Sequence, residues 1–130
     1  MPNNGKTLVY LACPYSDERR DVRVERFEKA NWASAHLMSK GEHVFSPISH
    51  THPIAEAGGL PLGFDYWEAY DRAVLDCCKA VYVLTLPGWQ ESVGVQAEIR
   101  IASEFGIPVY YLEPSAEGLV SGPVPADGVN

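Results

Sequence analysis

AVYVLTLPGWQESVGVQAE, residues 80–98, passes from an apolar run through a Pro-Gly break into a helix-forming segment. Ala80-Val81-Tyr82-Val83-Leu84 lacks the alternation of a half-exposed strand, so it reads as a strand covered on both faces, as in a parallel sheet. Pro87-Gly88 ends it. Ser92 or Gly94 then opens a helix running to Gly106, with Ala97, Ile101 and Ala102 toward the sheet.

The same alternation extends in both directions. Upstream, Leu8-Val9-Tyr10-Leu11-Ala12 is a second buried strand, stopped by Cys13-Pro14. Ser16-Asp17-Glu18 offers capping chemistry to a long helix in which Val24, Phe27, Ala30, Asn31, Ala35, Leu37 and Met38 recur near helical spacing. That helix is expected to stop at Lys40-Gly41, a cation followed by a glycine cap. His43-Val44-Phe45-Ser46 is a short strand. Pro47 to Gly63, with three prolines and three glycines, reads as a long loop of the kind that carries function or moves. Asp65 to Cys78 resumes helical spacing through Trp67, Tyr70, Val74 and Leu75. Downstream, Pro108-Val109-Tyr110-Tyr111-Leu112 is the last strand. Residues 114–130, rich in Gly, Pro and Ser, are expected to form a flexible C-terminal tail behind a single domain over residues 1–113.

The order β-α-β-loop-α-β-α-β predicts an α/β fold, a small doubly wound parallel sheet, flavodoxin-like or Rossmann-like, with helices on both faces. The chain of 130 residues, 46% of them apolar, is long enough to bury a core without staples. A net charge of −7 would repel a nucleic-acid polymer, so that class of partner is excluded. No basic amphipathic stretch suits a membrane surface, and no apolar run approaches spanning length. Three cysteines, Cys13 and the adjacent pair Cys77-Cys78, make a poor disulfide framework and show no zinc spacing. With a polar N-terminus, this points to a reducing cytoplasm.

In such folds ligands bind beyond the carboxyl ends of the strands. The rule singles out Cys13-Pro14-Tyr15-Ser16, Ser46 to His52, and Leu86 to Gly94. Backbone N–H groups at the last helix start can meet an anion, and Gly94 would let a ligand approach closely. Glu98, about one turn in, can face the same crevice, and Asp71 on the preceding helix could supply a second carboxyl of different pKa. Asp76 is a weaker rival. By spacing alone, the favoured reading of both Glu98 and Asp71 is a solvated helix carboxylate. His50 and His52 lie at i, i+2 without a placed third metal ligand, so a hydrogen-bonding role is preferred to a metal. Trp67 and Trp89 could stack on a base or pack in the core. Arg19 and Arg20 could meet a phosphate or form a solvated face.

Taken together, Tyr10-Leu11-Ala12-Cys13-Pro14-Tyr15, Tyr70-Asp71 and Ser92-x-Gly94-x-x-x-Glu98 resemble the nucleoside 2-deoxyribosyltransferase-like superfamily. Leu-Ala-Cys-Pro-Tyr-Ser, the segment from Val44 to Pro53, and Leu-Pro-Gly-Trp-x-x-Ser-x-Gly look more narrowly like a small bacterial and phage subfamily of unassigned function. The resemblance spans about residues 8 to 112. It implies a flavodoxin-like sheet, Glu98 as nucleophile, Asp71 as acid/base and Tyr10 as a substrate-contacting tyrosine. Cys13 to Ser16, His50 and Trp67 would bind substrate, as would Gly88, Trp89, Ser92 and Gly94. No cofactor is implied, and a homo-oligomer is expected because in this superfamily a neighbouring chain often closes the site. Cys13 stands where many members carry glycine, and Lys79 where many carry aspartate.

The implied reaction is cleavage or transfer at the N-glycosidic bond of a nucleoside or nucleoside 5′-monophosphate. Positive charge develops at the anomeric carbon, one carboxylate traps it, and a second acid protonates the leaving base. The alternative is a non-catalytic nucleotide-binding or sensing module on the same fold. A flavin-binding flavodoxin-like protein is disfavoured, because Cys13-Pro14-Tyr15-Ser16 lacks a Ser/Thr/Gly-rich phosphate cradle.

Overall fold

The computed structural model describes residues 5–115 and 120–125. The elements are β1 (Leu8–Ala12), α1 (Arg20–Ser39), β2 (His43–Phe45), α2 (Pro47–Gly58), α3 (Phe64–Leu75), β3 (Cys78–Leu84), α4 (Val93–Glu104), β4 (Val109–Pro114) and β5 (Val120–Pro125). The sheet order is β2-β1-β3-β4-β5. Neighbours from β2 to β4 pair in parallel, with Tyr10 opposite both Phe45 and Val81. This is the doubly wound α/β fold that the sequence predicts, with the expected strands within a few residues of their observed bounds.

Alternation along β1 and β3 divides the core between the two faces. Val9, Leu11, Ala80, Tyr82 and Leu84 pack with Ala30, Ala33 and Leu37 of α1 and Ile48 of α2. Tyr10, Ala12, Val81 and Val83 pack with Leu75 of α3 and with Val95, Ile101 and Ala102 of α4. Both helices that carry the candidate carboxyls therefore lie on the face to which Tyr10 points. The chain leaves β1 toward β2 on one side and β3 on the other. This switch point opens a crevice at the carboxyl ends of the strands.

Two expectations are corrected. Residues 47–58 of the expected long loop form α2. Ser46 caps the helix by accepting from the Ser49 N–H at 3.3 Å. Pro47 sits at the first helical position, where its missing N–H costs nothing. Gly59 closes the helix in the left-handed region at φ 64°, its N–H donating to the Ala55 carbonyl. Pro53 interrupts one backbone bond inside the helix, but Ile48, His52 and Ala55 are buried along it and packing outweighs the lost bond.

The second correction concerns the tail. Residues 120–125 form β5, antiparallel to β4, with Tyr111 opposite Val124. An edge strand tolerates the prolines that made this segment read as loop. The remainder of the expected tail beyond Ser115 lies outside the described residues. The start of α1 is also later than Ser16-Asp17-Glu18 suggests: Arg20 is its first residue, and Asp17 accepts from the Arg19 N–H at 2.8 Å. Among the described residues, no helix is long and apolar enough to cross a membrane.

Candidate active site

The sheet alternation that turns Tyr10 toward α3 and α4 sets the centre of the site. Tyr10 is fully buried, and its hydroxyl donates to Glu98 Oε2 at 2.5 Å. Glu98 reaches this point because Ser92 fixes the start of α4, its Oγ accepting from the Val95 N–H at 3.1 Å. Gly94 and Glu98, four residues apart, then share one helix face. Asp71 approaches from α3, near enough for its charge to act on both Glu98 and Tyr10. Asp71 and Glu98 are each only 6% exposed, which no solvated helix carboxylate would be.

Burial sets the electrostatics of this trio. It lifts the Glu98 carboxyl well above the usual carboxylate range; the nearby Asp71 charge adds to the shift, and the Tyr10 hydrogen bond opposes it. Burial also pushes Asp71 up to about 6, against hydrogen bonds with Tyr10 and Glu98. The Tyr10 phenol is held well above its ordinary value by burial and then by the Glu98 charge, so it remains a donor. Two buried carboxyls in contact do not both ionise readily, and the pair retains a proton that a lone surface carboxylate would lose.

Asp71 and Glu98 lie in the wall of a cavity of about 470 Å³, a suitable size for a small organic ligand. Cys13, Tyr15, Ser16, Trp67, Ser92, Gly94, Asp71 and Glu98 all line it. These come from three separate strand ends, as the switch-point geometry requires. A hydrogen bond joins Tyr15 Oη to Nδ1 of His52, which stacks 4.4 Å from Phe27. Ser16 Oγ donates to the Leu62 carbonyl at 3.0 Å, and Trp67 Nε1 to the Pro61 carbonyl at 2.9 Å. Burial raises the Cys13 thiol far above its ordinary value, so it lines the wall as a neutral group.

Several expected binding residues are placed elsewhere. Tyr10 does not line the cavity; it reaches Glu98 from the sheet beneath. Pro14 is buried behind the wall. His50 stacks on Tyr70, ring centroids 6.1 Å apart, outside the lining. Trp89 packs on Tyr111 at 5.2 Å, supporting the core rather than a ligand. Gly88 turns the chain at φ 93°, and a Cβ there would lie 2.9 Å from Arg26 Nη2, so glycine is required by the protein itself. Arg19 and Arg20 are paired with Asp21 and Glu56. Among the described residues, no group of three His, Cys, Asp or Glu side chains is disposed to hold a metal ion.

The lining also includes residues that the sequence placed only within a candidate segment, or not at all. Pro47, Ile48, Thr51 and Ala55 present one side of α2, while Phe64 and Asp65 open α3 and Glu91 precedes the α4 cap. The α2 residues were hidden by reading their segment as loop; the Ser46-Pro47 start and Gly58-Gly59 stop were the available signals.

Residues 7–113 match the family described as "Domain of unknown function (DUF1937)", and the chain belongs to that family. No curated protein matches the chain in sequence.

Proposed function

We propose that this DUF1937 member is an enzyme that cleaves or transfers at the N-glycosidic bond of a nucleoside or nucleotide, with Glu98 as nucleophile. The observation that carries the reading is a buried pair of carboxyls, Glu98 and Asp71, with Tyr10 bonded to one of them, at the wall of a ligand-sized cavity. The sequence blocks that resemble nucleoside 2-deoxyribosyltransferase-like proteins contain these same three residues.

The chemistry follows the division of labour of retaining glycosidases. A Glu98 oxygen attacks the anomeric carbon as its bond to the base nitrogen breaks. The bonding pair leaves with the base, and Asp71 supplies the proton that neutralises it. The product on the protein is a glycosyl ester at Glu98. Water, deprotonated by Asp71, then attacks the same carbon and frees the sugar; in a transferase a second base attacks instead. Tyr10 holds Glu98 Oε2, which fixes the carboxyl plane and favours its ionised form.

This cycle needs Glu98 ionised and the proton on Asp71. Burial raises both carboxyls, so the pair retains a proton whose place a bound ligand can set. Their proximity is the path for exchange. A bound base that accepts from Asp71 draws the proton to that side and leaves Glu98 to Tyr10. Trp67 and Tyr15 offer aromatic surface for the base, and Ser92 and Gly94 lie where the sugar can meet the start of α4. The test is free-base release from a panel of nucleosides and their monophosphates, measured by chromatography for the wild type and Glu98→Ala. The proposal expects release by the wild type and loss of roughly three or more orders of magnitude in the variant. Equal release by both would end the assignment.

A further inference from the structure

The cavity is chemically one-sided. Four carboxyl side chains line it, Asp65, Asp71, Glu91 and Glu98, and none of the described lining residues is Lys or Arg. Asp65 and Glu91 are exposed, which puts them at the mouth, whereas Asp71 and Glu98 are buried. The guanidinium groups around the first loop lie outside the described lining. Arg26 donates to the carbonyls of Ser16 and Pro87. Arg23 donates to the carbonyls of Asp17 and Glu18 through Nη1, while its buried Nε has no hydrogen-bond partner among the described residues. Arg19 and Arg20 are ion-paired with Asp21 and Glu56.

From this arrangement we infer that the cavity takes uncharged nucleosides and rejects their 5′-monophosphates, with Asp65 and Glu91 as the discriminating residues. The inference rests on the N-glycosidic reading above and names its substrate class. A phosphate in this cavity would bring up to two negative charges among carboxylates, with no Lys or Arg among the described lining residues to receive them. The start of α4 leaves the Val93 and Gly94 N–H groups without intrahelical acceptors, but Glu91 stands immediately before the cap and offsets what they offer an anion. Sugar hydroxyls suit the same wall well. They are donors, and the side chains of Asp65 and Glu91 offer acceptors. Repulsion at the mouth also acts before binding is complete, disfavouring approach of an anion.

The experiment is calorimetric titration of the wild-type chain with the four 2′-deoxynucleosides and four ribonucleosides, each against its own 5′-monophosphate. Base release is followed on the same samples. The expected result is that the best nucleoside binds roughly tenfold or more tightly than its monophosphate, with the gap narrowing as salt is raised. In the double variant Asp65→Asn, Glu91→Gln the ratio of the two affinities should fall by roughly tenfold, a readout that a general loss of structure does not produce. A monophosphate that binds as tightly as its nucleoside overturns the inference, as does an unchanged ratio in the double variant or no binding by either class. Nucleoside binding with the expected ratio but no base release sinks the cleavage reading instead and leaves this discrimination standing.

Discussion

The Tyr10 hydroxyl lies 2.5 Å from Glu98 Oε2, joining β1 to α4 across 88 positions of sequence. Both groups are buried, and Asp71 meets them from α3. The contact gives buried Glu98 a fixed donor, so the ionised form that the proposed reaction needs is stabilised from beneath.

Removing that donor has a defined consequence. Tyr10→Phe keeps the ring in the core but leaves Glu98 without its hydrogen bond. Base release should slow by roughly 10- to 100-fold, corresponding to about 1–3 kcal/mol for a lost bond to a charged group. Because the bond lowers the Glu98 pKa, its loss should also move the acidic limb of the kcat/KM profile to higher pH. A slower enzyme with an unmoved profile would mean that Tyr10 acts only through packing.

The carboxyl pair predicts a pH dependence of stability. Asp71 rises from 3.8 to about 6 in the folded chain, and Glu98 is raised as well. Between pH 3.8 and about 6 the folded chain keeps a proton on Asp71 that the unfolded chain has lost, so stability falls as pH rises. Asp71→Asn removes this charge while keeping a polar group in place. Relative to wild type its thermal midpoint should gain more at pH 8 than at pH 4, by the equivalent of about 1–3 kcal/mol. An equal change at both pH values would contradict the assignment.

How much of this was legible in the sequence depends on the residue. The strands at Leu8 and Ala80 read clearly because both faces of the sheet are covered, so their apolar runs are unbroken. Helix α2 did not, because Pro53 and two histidines mask a periodicity that tertiary packing enforces. Strand β5 did not, because edge strands accept the same Gly and Pro that mark loops. Within the site, spacing left Glu98 and Asp71 indistinguishable from surface carboxylates; the resemblance brought them forward with Tyr10. Asp65 carried no pattern and Glu91 only its place in the Leu86–Gly94 segment, since their position matters only once α2, α3 and α4 surround one cavity.

Gly94 separates stability from binding. A Cβ there would meet Phe64 and Ser92 at 3.9 Å, an ordinary contact, and alanine is the better helix former by about 1 kcal/mol. Gly94→Ala should therefore leave the thermal midpoint unchanged or raised, while the methyl projects into the cavity and weakens nucleoside binding several-fold. Calorimetry beside thermal melting measures both. Undiminished binding would remove Gly94 from the ligand's path.

Assembly is a further expected outcome. Tyr66 and Tyr70 are 51% and 41% exposed on α3, next to Trp67 in the cavity wall, and the resemblance also implies a neighbouring chain near the site. We expect at least a dimer covering this aromatic surface. Light scattering that finds only the 14.3 kDa species at working concentration would contradict it.

The central claim is that Glu98 carries the sugar during turnover. Rapid acid quench of wild type with its best nucleoside, followed by proteolysis and peptide mass spectrometry, tests it most directly. The account predicts a pentosyl ester on Glu98 of α4, absent without substrate and lost on incubation with water or an acceptor base. Steady base release with the quenched Glu98 peptide unmodified, and with undiminished activity in Glu98→Ala, would contradict it.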